Sequence, residues 1–157
     1  MLFRSGKSLH HGFADSERVT RIDLNRAGTP LIEIVSEPDV RSAADAADYF
    51  SRMRELLVAI GVNDGNMEEG SLRCDANVSL RPNETAPFGT RTEIKNVNSF
   101  RYLEQAITFE IERQTRILDE GGTIHQETRL FDSATGRTRS EEHTSELQSL
   151  AYLVCRL

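Results

Sequence analysis

The sequence predicts an α+β fold in which helices cover one side of a mostly antiparallel sheet, and three observations predict it. Residues 72–80 alternate strictly: Leu72, Cys74, Ala76, Val78 and Leu80 are apolar, while Arg73, Asp75, Asn77 and Ser79 are polar. That is the period of a strand with one face for a core. Residues 43–60 and 100–120 instead repeat their apolar side chains at the three- and four-residue steps of an amphipathic helix. The order of these patterns is strands, helix, hairpin, helix, strand, rather than the repeating βαβ of a parallel sheet.

Taken in order, residues 6–17 read as loop, with Lys7, His10 and His11 on a Gly-bounded polar segment. A lone His pair in such a loop is expected to be solvated. Residues 19–25 alternate well enough for a strand, and Gly28 and Pro30 break it. Leu31-Ile32-Glu33-Ile34-Val35 follows as a short β-branched strand. Glu33 stands out there, because an ionised carboxylate among aliphatic neighbours is costly without a partner. A metal, a basic side chain or water could satisfy it, and an outward-facing Glu on a one-sided strand is the alternative.

Ser42 is placed to cap the first helix, with Asp45 at the capping-box position. Ala46, Tyr49, Phe50, Met53, Leu56, Leu57 and Ile60 mark its apolar face, and Gly61 its stop. A loop between Gly65 and Gly70, carrying Glu68 and Glu69, leads into the alternating strand. Residues 81–89 are rich in breakers and read as a hairpin loop. Residues 90–97 return as a strand with Arg91, Glu93 and Lys95 on one face. Antiparallel pairing across that loop would let Arg73, Asp75, Glu93 and Lys95 meet, either as a cross-strand salt-bridge ladder or as a site. Asn98 and Ser99 can cap the second helix, whose buried stripe is Phe100, Leu103, Ala106, Ile107, Ile111, Gln114 and Leu118. Gly121 and Gly122 end it, residues 123–131 read as a last strand, and 132–136 as a turn.

At 157 residues the chain suits one domain with a sizeable core. No apolar run is long enough to span a bilayer and no secretory signal is visible near Met1. Two cysteines, Cys74 and Cys155, without Cys-x-x-Cys spacing point to a reducing, cytoplasmic setting. The net charge of −6 argues against a generally basic, nucleic-acid-coating surface, and is compatible with carboxylates that hold a divalent cation.

Both ends read as something other than natural coding sequence. Arg139 through Ser149 match, codon for codon, the translation of a common high-throughput sequencing adapter, and Leu2-Phe3-Arg4-Ser5 match the end of its 5′ counterpart. The expected organisation is therefore an adapter-like extension at 1–5, genuine coding sequence at 6–138 and an adapter-like tail at 139–157.

Three long motifs carry a resemblance. They are residues 23–39, Asp-Leu-Asn-Arg-Ala-Gly-Thr-Pro-Leu-Ile-Glu-Ile-Val-Ser-Glu-Pro-Asp, then residues 65–78 and residues 92–100, with Gln126-Glu127-Thr128-Arg129 fitting as well. Together they resemble the B subunits of the glutamine-dependent aspartyl/glutamyl-tRNA amidotransferases, over essentially all of 6–138. The resemblance implies that 6–138 is a partial catalytic domain, of a glutamine synthetase-like fold called the cradle. It also implies a carbon–nitrogen ligase activity in protein biosynthesis. The B subunit would use ATP and magnesium to phosphorylate the carboxylate of misacylated Glu-tRNA(Gln) or Asp-tRNA(Asn), and ammonia released from glutamine by the A subunit would attack the product. The A and C subunits are the implied partners, with tRNA held mainly by domains beyond these residues.

By position, Glu33 matches a family magnesium ligand and Asp75 an acidic residue of the kinase site. Arg73, Lys95 and Glu93 lie in family motifs, and their face and charge suggest phosphate or metal contacts; Glu68 is also a motif position. The family's Gly-Leu-Glu-Val-His segment and the Glu-Glu-Asp before Ala-Gly-Lys-Ser have no counterpart here, which implies an incomplete ligand set and little activity from this chain alone. The competing readings are a non-catalytic scaffold piece that binds the A subunit, and a generic metal-dependent hydrolase.

Overall fold

The computed structural model describes residues 2–9, 18–25, 27–141 and 153–156. His10 and His11, and most of the adapter-like tail, lie outside the described residues. The chain divides into two compact units, Met1–Ile34 and Val35–Leu157.

In the first unit β1 (Leu2–Phe3) pairs antiparallel with β4 (Pro30–Leu31), and β2 (Lys7–Leu9) with β3 (Arg21–Asp23). The strand expected over 31–35 shrinks to the first of those residues together with Pro30. Pro30 cannot donate to a ladder and β1 offers only a two-residue partner, so residues 32–37 continue without regular structure. Ile32 and Ile34, expected to bury Glu33, are exposed.

The second unit holds α1 (Ala43–Ala59), β5 (Cys74–Ser79), β6 (Thr92–Val97), α2 (Phe100–Asp119), β7 (Thr128–Asp132), β8 (Arg137–Ser140) and β9 (Leu153–Arg156). The sheet order is β8-β7-β6-β5-β9. β5/β6 and β7/β8 are antiparallel, whereas β6/β7 and β5/β9 are parallel. The sheet is thus mixed. The long α2 connection carries the chain from β6 to a parallel neighbour, which a hairpin cannot do. Arg139, Ser140 and residues 153–156 of the adapter-like tail lie in strands of this sheet.

Both helices begin and end where their sequence places them. The Ser42 hydroxyl accepts from the Asp45 N–H at 3.0 Å, and that of Ser99 from the Tyr102 N–H at 3.1 Å. At the far end of α1, Gly61 takes a φ of 69° and the Val62 N–H returns to the Leu57 carbonyl at 3.0 Å. α2 lies on the sheet, while α1 packs on α2. Leu103, Ala106 and Ile107 of α2 meet Cys74, Ala76, Val78, Ile94, Val97 and Phe131, and α1 contributes Ala46 and Phe50. The Phe50 and Phe100 rings meet edge to face at 5.3 Å. Because α1 stands one layer out, Leu56 and Ile60 at the end of its apolar stripe are exposed rather than buried.

A bulge sets the face of β6. Cys74 faces Val97 while Ala76 faces Ile94, so β6 spends one residue more than β5 over that interval. Asn96 supplies it with a left-handed φ of 64°. The extra residue flips the alternation, and Thr92, Ile94 and Val97 all turn toward the helices. In the β5–β6 loop, Asn83 Oδ1 accepts from the Thr85 and Ala86 N–H groups at 3.1 and 2.8 Å. Gly89 passes so close to Leu80 that a Cβ there would lie 2.2 Å from its carbonyl oxygen.

The helix-facing side of the sheet also holds a polar knot. Glu110 of α2 is fully buried. Its carboxylate accepts from Thr92 Oγ1 at 2.7 Å, Gln114 Nε2 at 2.9 Å, and Arg113 Nε and an Arg113 terminal nitrogen at 2.9 and 2.7 Å. Arg129 of β7 stands 3.5 Å away and binds Glu127 at 2.8 Å and the Thr138 hydroxyl at 2.9 Å. Gln114 also donates to the Val78 carbonyl at 3.1 Å. Burial pushes the Glu110 pKa up, but the bonds from Arg113, Gln114 and Thr92 outweigh it and hold the carboxyl below its usual value of 4.5.

Leu103→Ala removes a fully buried side chain and is expected to cost about 3 kcal/mol in urea unfolding. Glu110→Ala is expected to cost roughly 3–5 kcal/mol at neutral pH, since it strands the part-buried guanidinium groups of Arg113 and Arg129. A depressed carboxylate pKa contributes stability above the usual value of 4.5 that is lost as pH falls through the folded value. Urea midpoints followed from neutral pH into that range should therefore fall less steeply for Glu110→Ala than for the parent.

Candidate functional site

On the face of the sheet away from the helices, the alternation of β5 presents Asp75, Asn77 and Ser79, with Arg73 just before the strand. Exposure falls along that row: Arg73 is exposed, Asp75 half-buried, and Asn77 and Ser79 buried. β6 runs antiparallel beside it with Glu93 opposite Asn77. The bulge leaves both Lys95 and Asn96 facing the Asp75 interval, so Glu93 and Lys95 keep to the same side as Asp75.

This neighbourhood perturbs Asp75. Burial raises its pKa first and the Glu93 charge raises it further, while Lys95 and Arg73 pull it down without cancelling the rise. A cross-strand salt-bridge ladder does not form. Lys95 Nζ turns to Glu93 of its own strand at 3.6 Å, and neither Lys95 nor Arg73 closes to ion-pair distance on Asp75. Glu93 is held from β7 as well: Thr128 Oγ1 donates to its carboxylate at 3.0 Å, and its own N–H donates to the Glu127 carbonyl at 3.0 Å.

The strands therefore bring together Arg73, Asp75, Glu93 and Lys95. Glu68 is exposed on the turn at 67–70 and is not among the charges that act on Asp75. That loop is ordered from within. Asn63 accepts from the Gly65 N–H at 2.7 Å and Arg54 Nε donates to the Gly65 carbonyl at 2.8 Å. Glu33 belongs to the first unit, where it is half-buried and its buried Oε1 has no hydrogen-bond partner among the described residues. An orphaned carboxylate oxygen fits a cation or a donor from outside these residues.

Among the described residues no group of three His, Cys, Asp or Glu side chains converges to hold a metal ion. A magnesium ion carried by nucleotide needs less, because it commonly takes one or two protein carboxylates and fills its sphere with phosphate oxygens and water. Asp75 and Glu93, which repel one another across the β5–β6 pair, fit that requirement. Chemically, the face offers two carboxylates for a cation and two cations for phosphate oxygens.

Sequence reasoning missed Thr128 as the residue that holds Glu93, and the burial of Asn77 and Ser79. Among the described residues Asn77 Nδ2 and Ser79 Oγ have no hydrogen-bond partner. Thr128 was not legible as a partner because its contact depends on β6 and β7 lying parallel with Glu93 opposite Thr128. The Gln-Glu-Thr-Arg pattern around it was the available signal.

Residues 4–154 match the family described as the GatB/GatE catalytic domain. The chain is 56% identical over 148 residues to the B subunit of the aspartyl/glutamyl-tRNA(Asn/Gln) amidotransferase of Syntrophotalea carbinolica, covering 94% of this chain and 30% of that protein. Its likeness to the corresponding B subunits of Ralstonia pickettii and Bordetella petrii is 55%, over 148 and 150 residues. The chain spans about 30% of the length of the curated relatives it matches.

The electrostatics of this face carry a stability test. A raised carboxyl pKa means that the ionised form costs stability, so the advantage of a neutral side chain is present at neutral pH and disappears in acid. Asp75→Asn should melt above the parent chain at pH 7, and the difference should vanish as pH falls below the usual aspartate value of 3.8, as followed by thermal melts across that range.

Proposed function

The chain belongs to the GatB/GatE catalytic domain family, and on that premise we propose that it is part of an amidotransferase component that phosphorylates a tRNA-borne carboxylate. The substrates are misacylated Glu-tRNA(Gln) or Asp-tRNA(Asn), the phosphate donor is ATP with magnesium, and the product is amidated by glutamine-derived ammonia. The observation that carries the reading is the meeting of Asp75, Glu93, Lys95 and Arg73 on one face of the sheet.

Phosphoryl transfer asks little covalent chemistry of a protein and much positioning and charge neutralisation. Magnesium, when bound, supplies charge neutralisation on the phosphate oxygens. Glu93 and Asp75 would hold the nucleotide-borne cation; Glu33, in the other unit, is assigned as a magnesium-ligand carboxylate by its place in the family motif alone. Lys95 and Arg73 contact phosphate oxygens and stabilise the charge that shifts onto the departing ADP. In the step itself an oxygen of the substrate carboxylate forms a bond to the γ-phosphorus and the bond to the β–γ bridging oxygen breaks. Attack of ammonia on the resulting acyl phosphate then expels phosphate and leaves the amide. Glu68, on its exposed turn, is assigned to the nucleotide side of the site.

The A and C subunits of the amidotransferase are the partners in this reading, with a cytoplasmic location. Among the described residues no helix is long and apolar enough to cross a membrane. Burial of Asp75 beside Glu93, only partly offset by Lys95 and Arg73, supports the catalytic assignment over a plain structural face, since perturbed carboxylates concentrate at functional sites.

The test is ATP-dependent phosphorylation of glutamyl-tRNA(Gln) by a full-length protein carrying these residues, with its partner subunits. Asp75→Asn and Glu33→Gln are each expected to lower the rate about 100-fold, the scale on which removal of a charge-stabilising group acts. Unchanged rates overturn the assignment. Binding of magnesium-ATP by that full-length protein without phosphorylation of the tRNA, read by calorimetry, would mark a non-catalytic binding component instead.

A further inference from the structure

We propose that Glu110 is a positioning residue for the candidate site: from the helix side of the sheet it secures the residues that alternate along the chain with those holding Glu93. Neighbouring residues of a strand face opposite sides, so what fixes one fixes the placement of the next.

On β6, Thr92 turns to the helices and donates to Glu110 at 2.7 Å, and Glu93, the next residue, turns to the site. On the segment entering β7, Glu127 and Arg129 turn to the helices. Their side chains bind one another at 2.8 Å, and Arg129 stands 3.5 Å and Glu127 3.4 Å from Glu110 and from its partner Arg113 respectively. Between them Thr128 turns to the site and donates to Glu93 at 3.0 Å. The Glu127 carbonyl accepts from the Glu93 N–H at 3.0 Å. Glu93 therefore rests on residues 127 and 128, and residues 92, 127 and 129 rest on Glu110 and Arg113. Gln114, one turn further along α2, ties the same carboxylate to the Val78 carbonyl of β5, next to Asn77, the residue opposite Glu93.

A buried charge is an exacting device for this purpose. Its donors must keep hydrogen-bond distance and direction, so the strands that carry them cannot slide or twist without leaving the charge unpaired. An apolar contact would tolerate such displacements more readily. The arrangement holds the spacing of Glu93 against Asp75 across the β5–β6 pair to a narrow range. The functional meaning rests on the reading of Glu93 as a contact to magnesium-ATP; the positioning itself does not.

The experiment is residue-resolved amide hydrogen exchange by NMR on this chain, together with the carboxyl carbon resonance of Glu93. Thr92→Val keeps the shape of Thr92 and removes its donor to Glu110; Glu110→Gln removes the charge. Leu103→Ala, in the same helix and outside the knot, is the control for lost packing alone. In Thr92→Val the Glu93 amide is expected to exchange about tenfold faster relative to the α2 amides of Ala106 and Ile107, the scale of one hydrogen bond lost locally, and the Glu93 carboxyl resonance to shift. Glu110→Gln should act in the same direction and more strongly. In Leu103→Ala the protected amides should shift together.

A Glu93 amide that moves only in step with the α2 amides in Thr92→Val, or that does not move, overturns the proposal even if Glu110→Gln fails to fold. Neither readout uses nucleotide. The expected exchange pattern together with unchanged phosphorylation rates for Asp75→Asn in the full-length protein would sustain the positioning of Glu93 and overturn the reading of its face as a nucleotide site.

Discussion

The second unit depends on one constraint: a carboxylate, Glu110, that is buried completely between a helix and a sheet. An ion removed from water must recover its lost hydration from fixed donors, or the helix cannot dock. Arg113 and Gln114 provide part of that from α2 itself, and Thr92, Arg129 and Thr138 provide the rest from β6, β7 and β8. Apolar packing of Leu103, Ala106 and Ile107 drives α2 onto the sheet. It says little about register, because hydrophobic contact is nondirectional. The donors around Glu110 add direction.

Two carboxylates on opposite faces of the same sheet show how surroundings assign roles. Glu110 is compensated in full and its pKa falls; Asp75 is half-buried, faces another carboxylate, and its pKa rises. The first arrangement stabilises the fold, and the second stores a cost. Under the proposed function, a bound cation would relieve that cost. In the first unit one Glu33 oxygen is likewise buried with no hydrogen-bond partner among the described residues.

Much of the fold was legible because local rules and tertiary packing agreed. Ser42 and Ser99 cap where their spacing says, Gly61 and Gly121 terminate, and residues 74–79 form the strand their alternation predicts. The failures are equally particular. Strict alternation over 90–97 would have turned Asn96 inward and Val97 outward, but the bulge at Asn96 reverses them. The apolar run at 31–35 implied a buried strand, yet pairing stops at Leu31. Glu110 falls on the buried stripe, three residues beyond Ile107 and seven beyond Leu103, but its charge kept it from being counted as core. A polar residue at a stripe position, with Arg113 and Gln114 one turn on, was the signal that a buried network existed.

By itself the sequence determined the α+β class, the helix limits, the antiparallel β5–β6 hairpin and the polar face shared by Arg73, Asp75, Glu93 and Lys95. Each of these follows from periodicity and caps, which act over a few residues and are written in the chain. Only the tertiary structure decided that β6 and β7 run parallel, that Thr128 and Glu127 hold Glu93, and that Lys95 turns to Glu93 and leaves Asp75 unbridged. Those outcomes depend on register between segments more than thirty residues apart and on competition among several charges for the same partners. Neither is a property of any short stretch of sequence.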